Sequence, residues 1–302
     1  MESVNTNRIT KEPCCNFSKR GRIFHTHSSN YANPKIFIKQ LKPMVLNEMS
    51  ERKRIRAYWE ESIPMSFLDR NLSYEEKRSF RYSLQDYMHE VFRFSDFGDK
   101  LVLDLGCGAG IDSAEFSRNG ATVISVDFTE NARTLTKDLM LEAGLPSYVV
   151  QADALTLPFR SSVFDCVYCF GVLNHIPEIE KALAEIRRVL KSGGHVMAML
   201  YNRDSLLYAY SIVYLRGIKE GLLGKFTIDE ILSKYSERRY GNPYTRAYTK
   251  SEAKELFEKF FNNVHIEVRY NVIDLPDERK VKVGLPDGYE LGWHLIIKAV
   301  KK

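Results

Sequence analysis

Leu101-Val-Leu-Asp-Leu-Gly-Cys-Gly-Ala-Gly110 is the stretch that decides the fold of this chain. The apolar run Leu101 to Leu105 has the length and composition of a buried strand. The Gly-x-Gly-x-Gly behind it lets the backbone turn tightly and approach a ligand closely. A second run, Thr122 to Val126, ends at Asp127, a carboxylate able to accept hydrogen bonds from both hydroxyls of a ribose. Working outward, further strand-like runs follow at Ser147 to Gln151, Phe164 to Cys169 and His195 to Leu200, with helical segments between them. Thr129 caps one helix that stops at Gly144, and Pro177 opens another that stops at Gly193. The alternation predicts a parallel α/β sheet whose ligand site lies beyond the carboxyl ends of the strands.

A glycine loop with a distal acid also describes a dinucleotide site, and two details separate the readings. The Gly-x-Gly-x-x-Gly pattern needs a third glycine at position 111, where this chain has Ile111. Asp104 stands two residues before the first glycine, a poor place for a carboxylate beside a pyrophosphate and a good one beside a cation. Asp104 has a second reading, in which it ties down the loop by accepting backbone N–H groups.

The pattern resembles class I S-adenosylmethionine-dependent methyltransferases, in particular the small-molecule group of ubiquinone and menaquinone methyltransferases. Five segments from about Lys100 to Tyr201 carry the resemblance: the glycine stretch, Val126-Asp127, Ala152-Asp153-Ala154 with Leu157-Pro-Phe159, Phe164-Asp165 running to Asn174-His-Ile-Pro177, and Arg188-Val-Leu-Lys-Ser-Gly-Gly194. The resemblance implies S-adenosylmethionine as cofactor. Gly106, Cys107, Gly108 and Gly110 would pass under its methionine and ribose near Asp104, and Asp127 would hold the ribose diol. Phe128 would flank the adenine, Asp153 with Ala154 would meet its amine, and Phe170 would lie near the methionine. The expected fold is α/β, a Rossmann-like doubly wound sheet, mostly parallel with an antiparallel last strand, plus N-terminal helices and a helical lid insertion.

Residues 1–48 lack periodicity and read as a mobile tail, or as a consequence of where the chain starts; Cys14, Cys15, His25 and His27 within it lack a common zinc spacing, and no metal is expected. Residues 49–98 form an N-terminal helical segment. Within it Ser73 and Glu76 make a capping-box pattern, and Phe80, Leu84, Tyr87, Met88 and Val91 fall on one face. The cofactor-binding core spans 99–201 and the insertion 202–246. Residues 247–302 complete the sheet through a helix capped by Thr249 and Glu252 and strands at Val264 to Val268 and His294 to Val300.

A length of 302 residues, 44% of them hydrophobic, is enough to bury a full core, and a formal charge of +5 does not point to nucleic acid as partner. No apolar run is long enough to cross a bilayer and no secretory signal opens the chain, so a cytoplasmic place is expected. The five cysteines do not form a disulfide framework. Cys166 and Cys169 lie three apart on a strand, face opposite ways and read as core. Oligomeric state is not legible.

His175 is the candidate base, and it reads equally as a hydrogen-bonded residue of a helix-entry turn. The acceptor is expected to be a small molecule, such as a quinone, lipid or sugar, held under the insertion by Tyr58, Trp59, Tyr201, Arg203, Tyr244 and Arg246. The remaining tyrosines of the insertion and Arg239 extend that wall. The Asn/Asp-Pro-Pro-Tyr/Phe motif of amino-methylating nucleic-acid enzymes is replaced by Phe170-Gly-Val-Leu-Asn-His175. The alternatives are an RNA or protein methyltransferase and a cofactor-binding regulatory or scaffold protein without turnover.

Overall fold

The computed structural model describes residues 50–66, 72–237, 240–276, 279–286 and 288–302. The tail with Cys14, Cys15, His25 and His27 lies outside the described residues, as does Arg239. The chain runs through α1 (Glu51–Ser66), α2 (Tyr74–Leu84), α3 (Met88–Phe92), β1 (Leu101–Leu105), α4 (Ile111–Arg118), β2 (Thr122–Asp127), α5 (Glu130–Glu142), β3 (Tyr148–Gln151), β4 (Phe164–Phe170) and α6 (Ile179–Val189). Then come β5 (Leu190–Asn202), the π-type helix α7 (Leu207–Lys219), α8 (Ile228–Tyr235), β6 (Ala247–Tyr248), α9 (Lys250–Glu258), β7 (Asn262–Arg269), β8 (Val272–Asp274), β9 (Lys280–Lys282) and β10 (His294–Val300).

The main sheet has the order β3-β2-β1-β4-β5-β10-β7, with the short β6 added alongside β5. β1 through β5 are parallel, while β10 runs antiparallel to both β5 and β7. Winding reverses between β1 and β4, so the loops leaving these two strands part and open a crevice. Side-chain alternation along each strand divides the core into two layers. Val102, Cys166, Tyr168, Met197 and Met199 pack on one face with Phe92 and Phe116. Leu103, Leu105, Val167, Cys169 and Ala198 pack on the other with Leu183 and Phe257. Cys166 and Cys169 thus sit on opposite sides of the sheet, both fully buried.

Three details depart from the expectations. The helix begun at Ser73 ends at Leu84, and it buries Tyr74, Lys77, Arg81 and Tyr82 while Phe80 is exposed. Arg81 turns inward because Asp112 waits there to pair with it; Met88 and Val91 reach the core from α3. α6 stops at Val189, short of Gly193, because Leu190 already pairs with Phe164 and begins a strand much longer than His195 to Leu200. β8 and β9 form a hairpin in the last connection that no alternation in the sequence announces.

Caps at Ser73, Thr129 and Thr249 form as their spacing predicts. The Thr249 hydroxyl accepts from Glu252 N while the Glu252 carboxylate accepts from Thr249 N at 2.9 Å, starting the helix that buries Ala253, Leu256 and Phe257. Thr249→Ala is therefore expected to lower stability by about 1 kcal/mol, read as a shift of the urea midpoint with an unchanged slope.

Candidate active site

The turn after β1 is pinned to the neighbouring strand: Gly106 N and Cys107 N both donate to Val126 O, at 2.7 and 3.0 Å. Gly108 projects beyond this anchor, and a Cβ there would meet nothing within 4 Å, so its backbone faces open space. That space is a cavity of about 810 Å³, which runs from the glycine loop past the ends of β4 and β5 to α8 and the β8–β9 hairpin. Its size suits a cofactor together with a small second molecule.

Asp104, Asp127 and Asp153 line the near half, together with Asp112, which Arg81 pairs. Asp104 is 2% exposed and accepts the Ser113 hydroxyl, which in turn meets Ser125. Burial pushes its carboxyl up to about 7; Asp112 and Asp127 nearby push the same way, against the Ser113 bond and Arg81. No loop N–H donates to it among the described residues, so the loop-tying reading has no support there. Asp127 does tie the loop. Its Oδ2 accepts from Gly108 N at 3.1 Å, and its Oδ1 accepts both the N–H and the hydroxyl of Thr129, at 2.9 and 2.8 Å. Burial raises the Asp127 carboxyl, and those hydrogen bonds hold it back. Asp153 accepts from Leu155 N at 2.9 Å and pairs with Arg52 of α1. Arg52 and Arg56 both stand over the Phe128 ring, at 5.8 and 5.4 Å from its centre. Cys107, its thiol raised by burial, lies 3.3 Å from Thr136 Oγ1.

Arg81 is a lining residue that the sequence pattern does not reveal. It pairs with Asp112 and lies 4.8 Å from the Phe170 ring centre, bringing one positive charge to the end of the cavity where Asp104 brings a negative one. The one signal for it is a buried face of the helix that runs through position 81 instead of Phe80, one residue earlier.

The far half is aromatic. Trp293, Tyr201, His294 and Tyr270 lie nearly parallel in series, the Trp293–Tyr201 and Tyr270–His294 centres 4.4 and 4.6 Å apart. Cross-strand pairing of His294 with Tyr201 puts the wall on one face of the sheet. Burial holds the His294 imidazole well below its ordinary value, with Arg81 and Lys280 adding to the effect, and Tyr87 OH bonds its Nδ1 at 2.6 Å.

His175 also lines the cavity and is 4% exposed. Its Nδ1 lies 3.2 Å from Tyr244 O and its Nε2 lies 3.5 Å from Glu237 Oε1. Burial lowers the imidazole pKa, while Glu237 and the Tyr244 bond oppose the shift. Of the residues expected around an acceptor, Tyr58, Trp59 and Tyr201 line the cavity and Arg203, Tyr244 and Arg246 do not. Arg203 is held by Glu252, Arg246 lies over the Tyr248 ring, and Tyr244 turns only its carbonyl toward His175. The cations that reach the far half are instead Arg216, Lys234 and Lys280, beside Tyr235 and Tyr240.

Residues 103–198 match the methyltransferase domain family. The chain is 31% identical over 130 residues to the ubiquinone biosynthesis O-methyltransferase of Nitrosomonas europaea, a match covering 42% of this chain and 54% of that protein. It is 27% identical over 179 residues to the protein of the same name from Chromobacterium violaceum, covering 53% and 76%. The chain thus spans about half the length of most of these curated relatives. Among solved structures, the magnesium protoporphyrin IX methyltransferase of Synechocystis PCC 6803 with bound SAH superimposes with a TM-score of 0.54 at 14% identity, covering 84% of this chain and 100% of that one. A protein from Pyrococcus horikoshii OT3 gives 0.51 at 20% identity, covering 82% and 99%. At such identities the superpositions speak for the fold alone. Sheet order and matched segment agree that residues 103–198 are similar to a methyltransferase domain and share its Rossmann-like fold.

Proposed function

We propose that this protein binds S-adenosylmethionine and transfers its methyl group to a hydroxyl of a small planar acceptor. The observation that carries this reading is that one cavity contains both the glycine loop with its acids and the aromatic wall. The names of the O-methyltransferase relatives support it.

The residues present fit such a cofactor. Asp104 is a buried carboxylate that burial has left in want of a cation, and an ammonium or sulfonium supplies one. Arg81 offers the opposite charge to a carboxylate. Asp127 has two oxygens on the cavity wall for a diol, and the exposed backbone at Gly108 allows close approach. For an adenine to lie on Phe128 with its amine at Asp153, Arg52 must give up its bond to Asp153 or move with the ring. When bound, the cofactor supplies a methyl group already activated by a positive sulfur. The protein's part is to hold the acceptor oxygen in line with that methyl and to exclude water. The parallel rings Tyr201, His294 and Tyr270 would orient a planar acceptor by stacking, with Lys234 and Lys280 near its outer edge. We further propose that α7, α8 and the following segment to residue 246 act as a lid over the acceptor.

Calorimetry with S-adenosylmethionine across pH tests the cofactor assignment. Because the Asp104 carboxyl is raised to about 7, its charge is lost as pH falls through that value, and cofactor affinity is expected to weaken by up to about tenfold per unit below it. Stability without cofactor runs the other way. A carboxyl raised on folding stabilises the folded state most below its unfolded value, and that contribution is lost as pH rises through about 7. Absence of binding at every pH would defeat the reading; binding that ignores pH would remove Asp104 from it.

A further inference from the structure

The insertion between β5 and β6 brings a carboxylate to the cavity wall, Glu237, and it lies outside the segment that matches the methyltransferase domain. Its Oε1 accepts the Tyr201 hydroxyl at 2.7 Å and stands 3.5 Å from His175 Nε2. The same insertion holds the other side of the imidazole. Tyr244 O, Thr245 Oγ1 and Asn242 Nδ2 all lie within 3.1 to 3.2 Å of Nδ1. At Nδ1 the Tyr244 carbonyl accepts while the Asn242 amide, its Oδ1 held by Tyr244 N, donates, and Asn174 Nδ2 stands 3.2 Å from Nε2, so either ring nitrogen can carry the proton and Nε2 is the one turned toward Glu237. Trp59 packs edge-on against the ring at 4.8 Å and fixes its plane.

Resting on the methyltransferase reading, we propose that Glu237 and His175 together accept the proton of a hydroxyl acceptor, with Tyr201 positioning the carboxylate. A neutral hydroxyl is a weak nucleophile until its proton leaves, whereas a thioether or tertiary amine needs no base; a built proton acceptor therefore selects the hydroxyl class. The balance closes within the site. The O–H bond breaks, its proton goes to the pair, and its electrons form the new O–C bond. The S–C bond of the donor breaks with its electrons staying on sulfur, and the positive charge of the donor ends as the proton on the pair. One added proton converts a half-buried carboxylate beside a neutral imidazole into a pair without net charge, which burial favours.

Two measurements on the full chain test this. In the first, histidine NMR follows the His175 titration without cofactor. The titratable groups around the ring are Glu237, Tyr201 of β5 and, coupled to Tyr201, Tyr58 of α1; Glu178 lines the same cavity. Glu237 favours the protonated imidazole, so Glu237→Gln is expected to move His175 to lower pH, and Tyr201→Phe to move it less. In the second, labelled S-adenosylmethionine is offered with a panel of aromatic hydroxyl compounds and a panel of tertiary amines and thioethers. Transfer to a hydroxyl that falls at least about 100-fold in kcat in Glu237→Gln and His175→Asn, with calorimetric cofactor affinity unchanged within about twofold, supports the assignment. Transfer that survives Glu237→Gln, or that favours the proton-free panel, overturns it. If neither panel is methylated, the NMR result decides: an unmoved His175 overturns the pairing and a shifted one supports it. Loss of cofactor binding in the wild type would instead overturn the function proposed above, and the titration would then test the pair by itself.

Discussion

Asp127→Ala is expected to weaken S-adenosylmethionine binding by at least about 100-fold, measured by calorimetry on protein whose far-ultraviolet dichroism is unchanged. Two losses combine. A charge-assisted hydrogen bond is worth about 1.5–3 kcal/mol, and a ribose diol would make two with this carboxylate. The same side chain anchors the glycine loop through Gly108 N and receives Thr129 at the start of α5, so its removal also lets the loop drift. Asp127→Asn separates the two effects. An amide oxygen can still accept from Thr129, but an NH₂ facing Gly108 N–H replaces an acceptor with a donor. The asparagine variant would thus keep α5 in place while losing the loop anchor, and an affinity between those of the wild type and Asp127→Ala is expected. Undiminished binding by Asp127→Ala would remove this residue from the cofactor site.

Gly106→Ala is expected to be the most destabilising single change in the site, by about 2–5 kcal/mol in urea denaturation. Gly106 holds φ at +80°, in the left-handed region where a Cβ costs about 1–2 kcal/mol. A Cβ there would also overlap Val172 Cγ2 while standing 3.0 and 3.1 Å from Val172 Cγ1 and Cβ, so rotating the valine brings no relief. Val172→Ala in the same chain should recover the packing part of the loss and leave the conformational part. A double-mutant cycle measures the division, and additive losses would show that the contact with Val172 is unimportant. Because Gly106 and Val172 lead out of β1 and β4, the strands flanking the winding reversal, cofactor affinity should fall together with stability.

The elements with local causes are legible in the chain. Alternation of strand and helix, the caps at Ser73, Thr129 and Thr249 and the opposed faces of Cys166 and Cys169 follow from rules that act over a few residues. The same holds for the glycine loop, whose turn after β1 and close approach to the cavity follow from its spacing. The buried face of α2 differs from its expected one by a single position. Nothing within that helix distinguishes an inward Phe80 from an inward Arg81, and the choice is made by Asp112, thirty-one residues on.

The sequence by itself therefore determined the sheet class and the loop at the end of β1, because each depends on backbone geometry encoded nearby. The tertiary structure alone decided what lines the far half of the cavity. Tyr201, Glu237, Tyr270 and His294 come from separate segments, and they share a wall because β10 lies between β5 and β7 and the insertion folds back over the strand ends. Arg203, Tyr244 and Arg246 have the right chemistry in the right segment, yet Glu252, the backbone around His175 and the Tyr248 ring claim them first. Composition can say that an insertion carries tyrosines and arginines; only long-range packing settles which of them face the cavity.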